Sequence, residues 1–287
     1  MRREAGTTVV ELLIGTGIML AASAAVFTLV RDATARSARW NESADLHQRA
    51  RIAVDAITRL VALSAAAPPT AGLRRAFPAI EPRRRSSFLA SASAITVRHV
   101  PEAAAWTYVT ADVPPGAVTA TIRNHSGCAD GVANCGFAAR TGAAILDGHG
   151  DWHLLLVEPS APGVLAIGDA VPGRAATFPA GAAIVEILET SLYFDPRERT
   201  LRQEGPGEGS FPVVDNIADI VFEYFATGPE ALPLSSLTDG PLCGSGSLAY
   251  DCDLHRVRTI RATVAVAGSH PEMHPLRLVV EVARRVQ

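Results

Sequence analysis

The sequence predicts an α+β protein in which one long N-terminal helix precedes a β-rich globular head. Three observations carry that expectation. Residues 12–30 contain no charged side chain, and the apolar positions that follow recur at helical spacing until Pro68 and Pro69. From about residue 94, short β-branched and aromatic runs alternate between turn signals. The segments that result are a short charged stretch at 1–6, a membrane-spanning stretch at 7–30, its amphipathic continuation at 31–67, a connector at 68–93 and a head at 94–287.

The span comes first. Nineteen uncharged residues rising about 1.5 Å each suffice, with their neighbours, to cross a hydrocarbon core of roughly 30 Å. No second stretch of this kind exists in the sequence. Ahead of it stands MRREAG, too short for a secretory signal, and no A-x-A site follows. Inside its first turn sits Glu11, a carboxylate costing at least a few kcal/mol in lipid unless something pairs with it.

Past Val30 the pattern stays helical. Leu46, Ala50, Ala53, Ile57 and Leu60 recur at steps of four and three, with Val54 and Val61 widening the stripe, while Arg49, Arg51, Asp55 and Arg59 take other faces. No proline interrupts residues 7–67, so one rod of about 85 to 90 Å is expected. Pro68 and Pro69 end it. The connector holds Arg74, Arg75, Arg83, Arg84 and Arg85. With Phe77 as its one aromatic between them, it reads as a solvated basic loop in preference to a nucleic-acid patch.

The head opens with strand signals at 94–100, 106–110, 118–123 and 152–158. AIVEILETSLYFDPRERTLRQE reads as a hairpin turning at Asp195 and Pro196. In VVDNIADIVFEYFAT, Ile217 and Ile220 share one short turn before a strand through Val221, Phe222, Tyr224 and Phe225. VRTIRATVAVAG and LRLVVEVARRV supply two closing strands. Residues 100–180 as a whole are legible only as β-rich.

Composition excludes little. Arg and Lys total 26 against 29 Asp and Glu, a net of −3, so nothing suggests a polyanionic partner. Cys128 and Cys135 are seven apart, and Cys243 and Cys252 nine apart, each pair bracketing a polar loop. Two local disulfides are the expectation if the head is exported. A four-thiolate zinc site competes, but neither spacing fits its short knuckles. His149 and His153 fall on a strand-like run, about 13 Å apart along it, and prolines separate His270 from His274. The CGSGS run with Ser245 and Ser247 is not a nucleophile elbow, and no nucleotide-binding fingerprint is present.

The block TTVVELLIGTGIML, preceded by Gly6, resembles the class III signal of type IV pilins and pseudopilins. The order of the YFDPRERTLRQE hairpin, VVDNIADIVFEYF, VRTIRATVAV and the closing strand is similar to that of PilW-type minor pilins and J-type minor pseudopilins of type II secretion. The resemblance implies a long N-terminal helix packed on an antiparallel sheet. It also implies a leader at 1–6 cut after Gly6 by a prepilin peptidase, and N-methylation of Thr7, which stands where the family usually has Phe. Glu11 then becomes the fifth mature residue, facing the N-terminal ammonium of a neighbouring subunit.

On this resemblance the chain is a non-enzymatic minor pilin or pseudopilin at the initiation complex or tip of a type IV pilus or type II secretion pseudopilus. It sits single-pass in the inner membrane with a periplasmic or extracellular head. Its partners are the major subunit and other minor subunits. The resemblance alone sets this topology, because Arg31, Arg36 and Arg39 follow the span and offset Arg2 and Arg3. No cofactor is expected. Some relatives hold calcium in loops like the second Cys-bracketed one, where Asp239, Asp251 and Asp253 are the candidate ligands, although their spacing is not that of an EF-hand. The alternative is an uncleaved, signal-anchored periplasmic module that binds an ion or polymer through the Cys-bracketed loops.

Overall fold

The computed structural model describes residues 9–64, 78–84, 87, 89–101, 103–123, 128, 133–148, 151–169, 177–205, 209–243, 250–268 and 274–283. Helix α1 (Val9–Leu63) runs unbroken for 55 residues, about 82 Å at 1.5 Å per residue. Its last described turn is closed by Ser64, whose amide and hydroxyl both donate to the carbonyl of Val61. The expected end at 67 lies outside the described residues.

The head begins inside the expected connector with β1 (Ile80–Glu81), followed by β2 (Ala94–His99), β3 (Trp106–Val109), β4 (Thr119–Arg123) and β5 (Thr141–Leu146). Next come β6 (Trp152–Ala161), β7 (Val164–Asp169), β8 (Ala183–Glu186), β9 (Leu188–Asp195), β10 (Thr200–Gly205) and β11 (Gly209–Val214). The chain closes with β12 (Ile217–Phe225), β13 (Ala231–Leu232), β14 (Leu242–Cys243), β15 (Tyr250–Asp251), β16 (Thr259–Val266) and β17 (Leu276–Ala283). The fold is α+β, as expected, and every described strand pairing is antiparallel.

Two sheets carry the helix. One has the order β1-β2-β9-β10-β11 and the other β13-β12-β16-β17. The stripe read from the sequence is the packed face. Leu46, Ala50, Ala53, Ile57, Leu60 and Val61 are buried in one core with Ile95, Val97, Leu192, Phe222 and Val264, and Val54 is half-buried beside them. Each buried Leu or Ile contributes about 1.5 to 3 kcal/mol relative to exposure, so the last five turns or so are anchored where the first nine or so are not.

A third element was not anticipated. Strands β3-β4-β7-β6-β5-β8 close into a six-stranded barrel, whose interior is filled by Val109, Ile122, Ile145, Leu155, Leu165, Ile167, Phe178 and Ile184. These described side chains form one packed core. The other faces of its strands present Leu146, Trp152, Leu154 and Val185 to the core shared with the helix, and this second apolar set fuses the barrel to the sheets. The run 183–195, read as one strand, is divided at Ile187: β8 belongs to the barrel and β9 to the five-stranded sheet.

One expectation is corrected outright. Ile217 and Ile220 lie within β12, not on a turn ahead of it. The register against β16 shifts between Ile217 and Asp219, and a β-bulge adds a residue there. Two buried isoleucines therefore stand three apart, which hides the two-residue alternation of a strand.

Candidate membrane and assembly segment

The helix divides into two physical environments. From residue 9 to residue 41 every side chain is exposed, including Leu12, Leu13, Ile14, Ile18, Met19, Leu20, Phe27 and Leu29. The segment includes an 18-residue window of mean hydropathy 2.1 with no part buried in the head. By length and composition this helix can cross a membrane. Its polar side chains are compatible with lipid: the Thr16 hydroxyl donates to the carbonyls of Leu12 and Leu13, and that of Thr28 to Ala25, so neither is left unsatisfied where water is absent.

Glu11 is the one ionisable residue among described residues 9–30, and it lies in the first described turn. The positive end of the helix dipole favours an anion there. Gly6 and Thr7, the expected processing pair, lie outside the described residues. Gly15 and Gly17 have open space where a Cβ would stand, which leaves that stretch narrow enough for another helix to approach closely.

Between the apolar stretch and the packed stripe, residues 31–41 form a bare, charged helical neck. Where the neck meets the head, Arg49 donates from Nε to Asp45 at 2.8 Å and from Nη1 to Asp215, just beyond β11. Hydrogen bonding from Arg49 holds the Asp215 carboxyl below the usual range for an aspartate, and the same bond raises Arg49.

The first cysteine pair is a disulfide: Cys128 and Cys135 are joined, with Cα atoms 4.4 Å apart. These two therefore do not form part of a thiolate zinc site. The loop they close is fastened to the barrel by Asn134, whose Oδ1 accepts from the Gly163 amide at 2.9 Å. Cys252 is also disulfide-bonded and no described cysteine is free. The backbone of Cys243 pairs with that of Tyr250 in the short β14–β15 ribbon.

The aspartates of that second loop serve the loop itself. Buried Asp251 accepts from the amides of Gly240 at 2.7 Å and Asp253 at 2.8 Å. Asp253 accepts from Arg256 at 3.0 Å, and Asp239 is exposed. Among the described residues no three or more His, Cys, Asp or Glu side chains converge as a metal site. His153 is buried on β6 and His274 is exposed, while His149, His270, Ser245 and Ser247 fall outside the described residues.

In the basic run, Arg83 pairs with Glu81, and Arg84 pairs with Glu204 at 2.7 Å while lying over the Tyr193 ring. Arg74, Arg75 and Arg85 are outside the described residues. Sequence reasoning missed the cluster beneath this run. Arg98, 3% exposed, donates to Glu81 across β1 and to Glu189 at 2.8 Å across β9. Burial by itself would raise the Glu81 carboxyl, but Arg98 and Arg83 outweigh it and hold it low. Alternation in AITVRH places Ala94, Thr96 and Arg98 on one face, yet nothing local signals that this face is covered. No family model matches the chain, and neither the curated proteins nor the solved structures contain a match.

Proposed function

We propose that this chain is a minor pilin or minor pseudopilin, a non-enzymatic subunit that is stored in the inner membrane through its apolar helix. It is cut after Gly6 and enters the initiation complex or tip of a pilus or secretion pseudopilus. One observation supports this most: a single uninterrupted helix has its apolar, Glu11-bearing half wholly outside the head and its other half built into the head's core.

The mechanism is one of relative cost. In the bilayer Glu11 is expensive unless paired, and cleavage after Gly6 creates a new ammonium at Thr7 on every copy. Side-by-side packing of helices brings one chain's carboxylate to the next chain's ammonium. Assembly therefore gives that carboxylate a counter-charge in lipid, while the rigid helix transmits the position of its membrane half to the head. The barrel and sheets form a bulky head that repeats poorly in a tight array, which favours a terminal position.

Mass spectrometry of the mature N-terminus tests the reading. A chain that begins at Thr7 is expected. A functional chain that retains Met1 or Arg2 overturns it and leaves a signal-anchored binding module in its place. Glu11→Gln is expected to lower incorporation into the filament with head expression unchanged, and full incorporation of that variant counts against the charge mechanism.

A further inference from the structure

A strand at the edge of a sheet leaves a row of backbone N–H and C=O groups without strand partners, and proteins ordinarily shorten, kink or cover such edges. Most edges of this head are guarded in those ways. The barrel has no edge, β1 and β13 are two residues each, and β11 carries Pro212 and a register shift against β10. β17 is the exception. It is eight residues long, contains no proline, and keeps one unbroken register against β16, its sole strand partner among the described residues.

The side chains of this edge are sorted by face. Leu276, Leu278, Val280 and Val282 turn toward the core shared with α1 yet are only half-buried, so their flank beyond the sheet is open. On the other face Arg277, Val279 and Glu281 are all exposed, Val279 at 60%. Arg277 lies across from uncharged Ala265, with Asp219 one strand further, and Val279 lies across from Thr263. Glu281 lies across from Arg261, which serves Glu223 at 3.7 Å as well as Glu281 at 2.6 Å. The edge therefore offers a positive charge at one end and a negative surplus at the other.

We infer that β17 is a docking edge for an extended segment of a different polypeptide, which adds to the four-stranded sheet as an antiparallel fifth strand. In this mode main-chain hydrogen bonds supply affinity and cross-strand side-chain pairs supply selection. Antiparallel addition continues the direction of every described pairing and is the slightly more stable kind. The matching segment then reads, from its N-terminus, basic, β-branched and acidic at alternate positions, with apolar residues between: the basic one meets Glu281 and the acidic one Arg277. Its apolar set covers the open flank of Leu278 and Val280. β17 itself has this order, so a second copy matches in charge. Such a pair, however, is related by a two-fold axis normal to the sheet, and that rotation points two α1 helices, each packed along its own sheets, in opposite directions. Two copies anchored in one membrane cannot meet so, a step that rests on the membrane reading above.

Amide hydrogen exchange of the full-length protein in mild detergent tests the edge. The probe is a synthetic strand of about eight residues with Lys, Thr and Glu alternating on one face and Val on the other, beside a scrambled peptide of the same composition. The ordered peptide is expected to slow exchange within 276–283 in a saturable way and to leave 209–214, the guarded edge, unchanged. Arg277→Glu is expected to weaken the peptide several-fold, and replacing the peptide's Glu by Lys to restore binding to that variant. No protection of β17, equal protection by the scrambled peptide, or an unaltered affinity of Arg277→Glu overturns the proposal. So does protection of β17 that rises with protein concentration in the absence of peptide, which makes a second copy the occupant. A chain that begins at Thr7 and gains no protection keeps the filament reading and loses this one. A functional chain that retains Met1 and gains protection does the reverse.

Discussion

The guanidinium of Arg49 on α1 is bonded to the carboxylate of Asp215, beyond the end of β11, and so ties the helix to the head at the point where the bare neck begins. Both groups are partly solvated, with side-chain exposures of 23% and 66%, so solvent screening limits the pair to roughly 1 kcal/mol or less. Asp215→Asn is therefore expected to shift a urea midpoint only slightly at pH 7. The sign with pH is definite. Arg49 depresses the folded carboxyl, so its contribution is complete above the ordinary aspartate value near 3.8 and is lost as pH falls through the folded one. The difference between wild type and Asp215→Asn should shrink below about pH 4, and a difference that grows on acidification contradicts the assignment.

Ala53 and Ala50 are fully buried where α1 meets the sheets. Small residues at successive inward turns let the helix axis lie close to the strands, and nothing there yields easily. Ala53→Phe is expected to destabilise the head by about 1 to 3 kcal/mol through overpacking, read as a lowered urea midpoint with helicity of the exposed half retained. A midpoint unchanged within error would mean that the helix is not seated as described.

Much of this was legible in the sequence because the signals are local. The buried face of α1 follows from the spacing of Leu46, Ala50, Ala53, Ile57 and Leu60, and the hairpin at Asp195 from its turn chemistry, with the Asp195 side chain accepting from the Arg197 amide at 2.9 Å. The barrel was not legible, since its closure depends on long-range pairings such as Trp106 with Val185 and Ala143 with Glu186. Three of its strands, β5, β6 and β8, are also apolar on both faces. In β6, Trp152 and Leu154 pack outward while Leu155 and Val157 pack inward, so no alternation marks a solvent side. At the candidate site, Glu11 stood out by sequence contrast alone. The Arg98 cluster could not be read, because Glu189 comes from a strand 91 residues away.

Arg98 makes a different kind of prediction. It is buried between Glu81 and Glu189, and removing one member of a buried ion pair leaves an uncompensated charge costing roughly 3 to 5 kcal/mol. Arg98→Met should therefore be severely destabilising. The double variant Arg98→Met/Glu81→Leu should recover part of the loss, which a double-mutant cycle measures directly. Because the arginines hold Glu81 low against its burial, the wild-type contribution is present above the usual glutamate range and disappears as pH falls through the folded value. Simple additivity of the two replacements would show that the charges are not coupled.

Gly142 sits where the chain between β8 and β9 crosses from barrel to sheet. Its carbonyl accepts from the Ile187 amide at 2.9 Å, and a Cβ built on it would stand 3.0 Å from the Ile187 carbonyl oxygen. That oxygen is backbone, held by strands on both sides, so it cannot swing away as a side-chain tip would. Gly142→Ala is expected to force β5 and the 183–195 run apart by a few tenths of an ångström and to lower stability, even though alanine in a strand ordinarily gains over glycine. Gly168→Ala is the control, because its nearest neighbour is 4.0 Å from the added Cβ and the substitution should be close to neutral. Equal midpoints for the two variants would show that the barrel and sheet do not depend on close approach at Gly142.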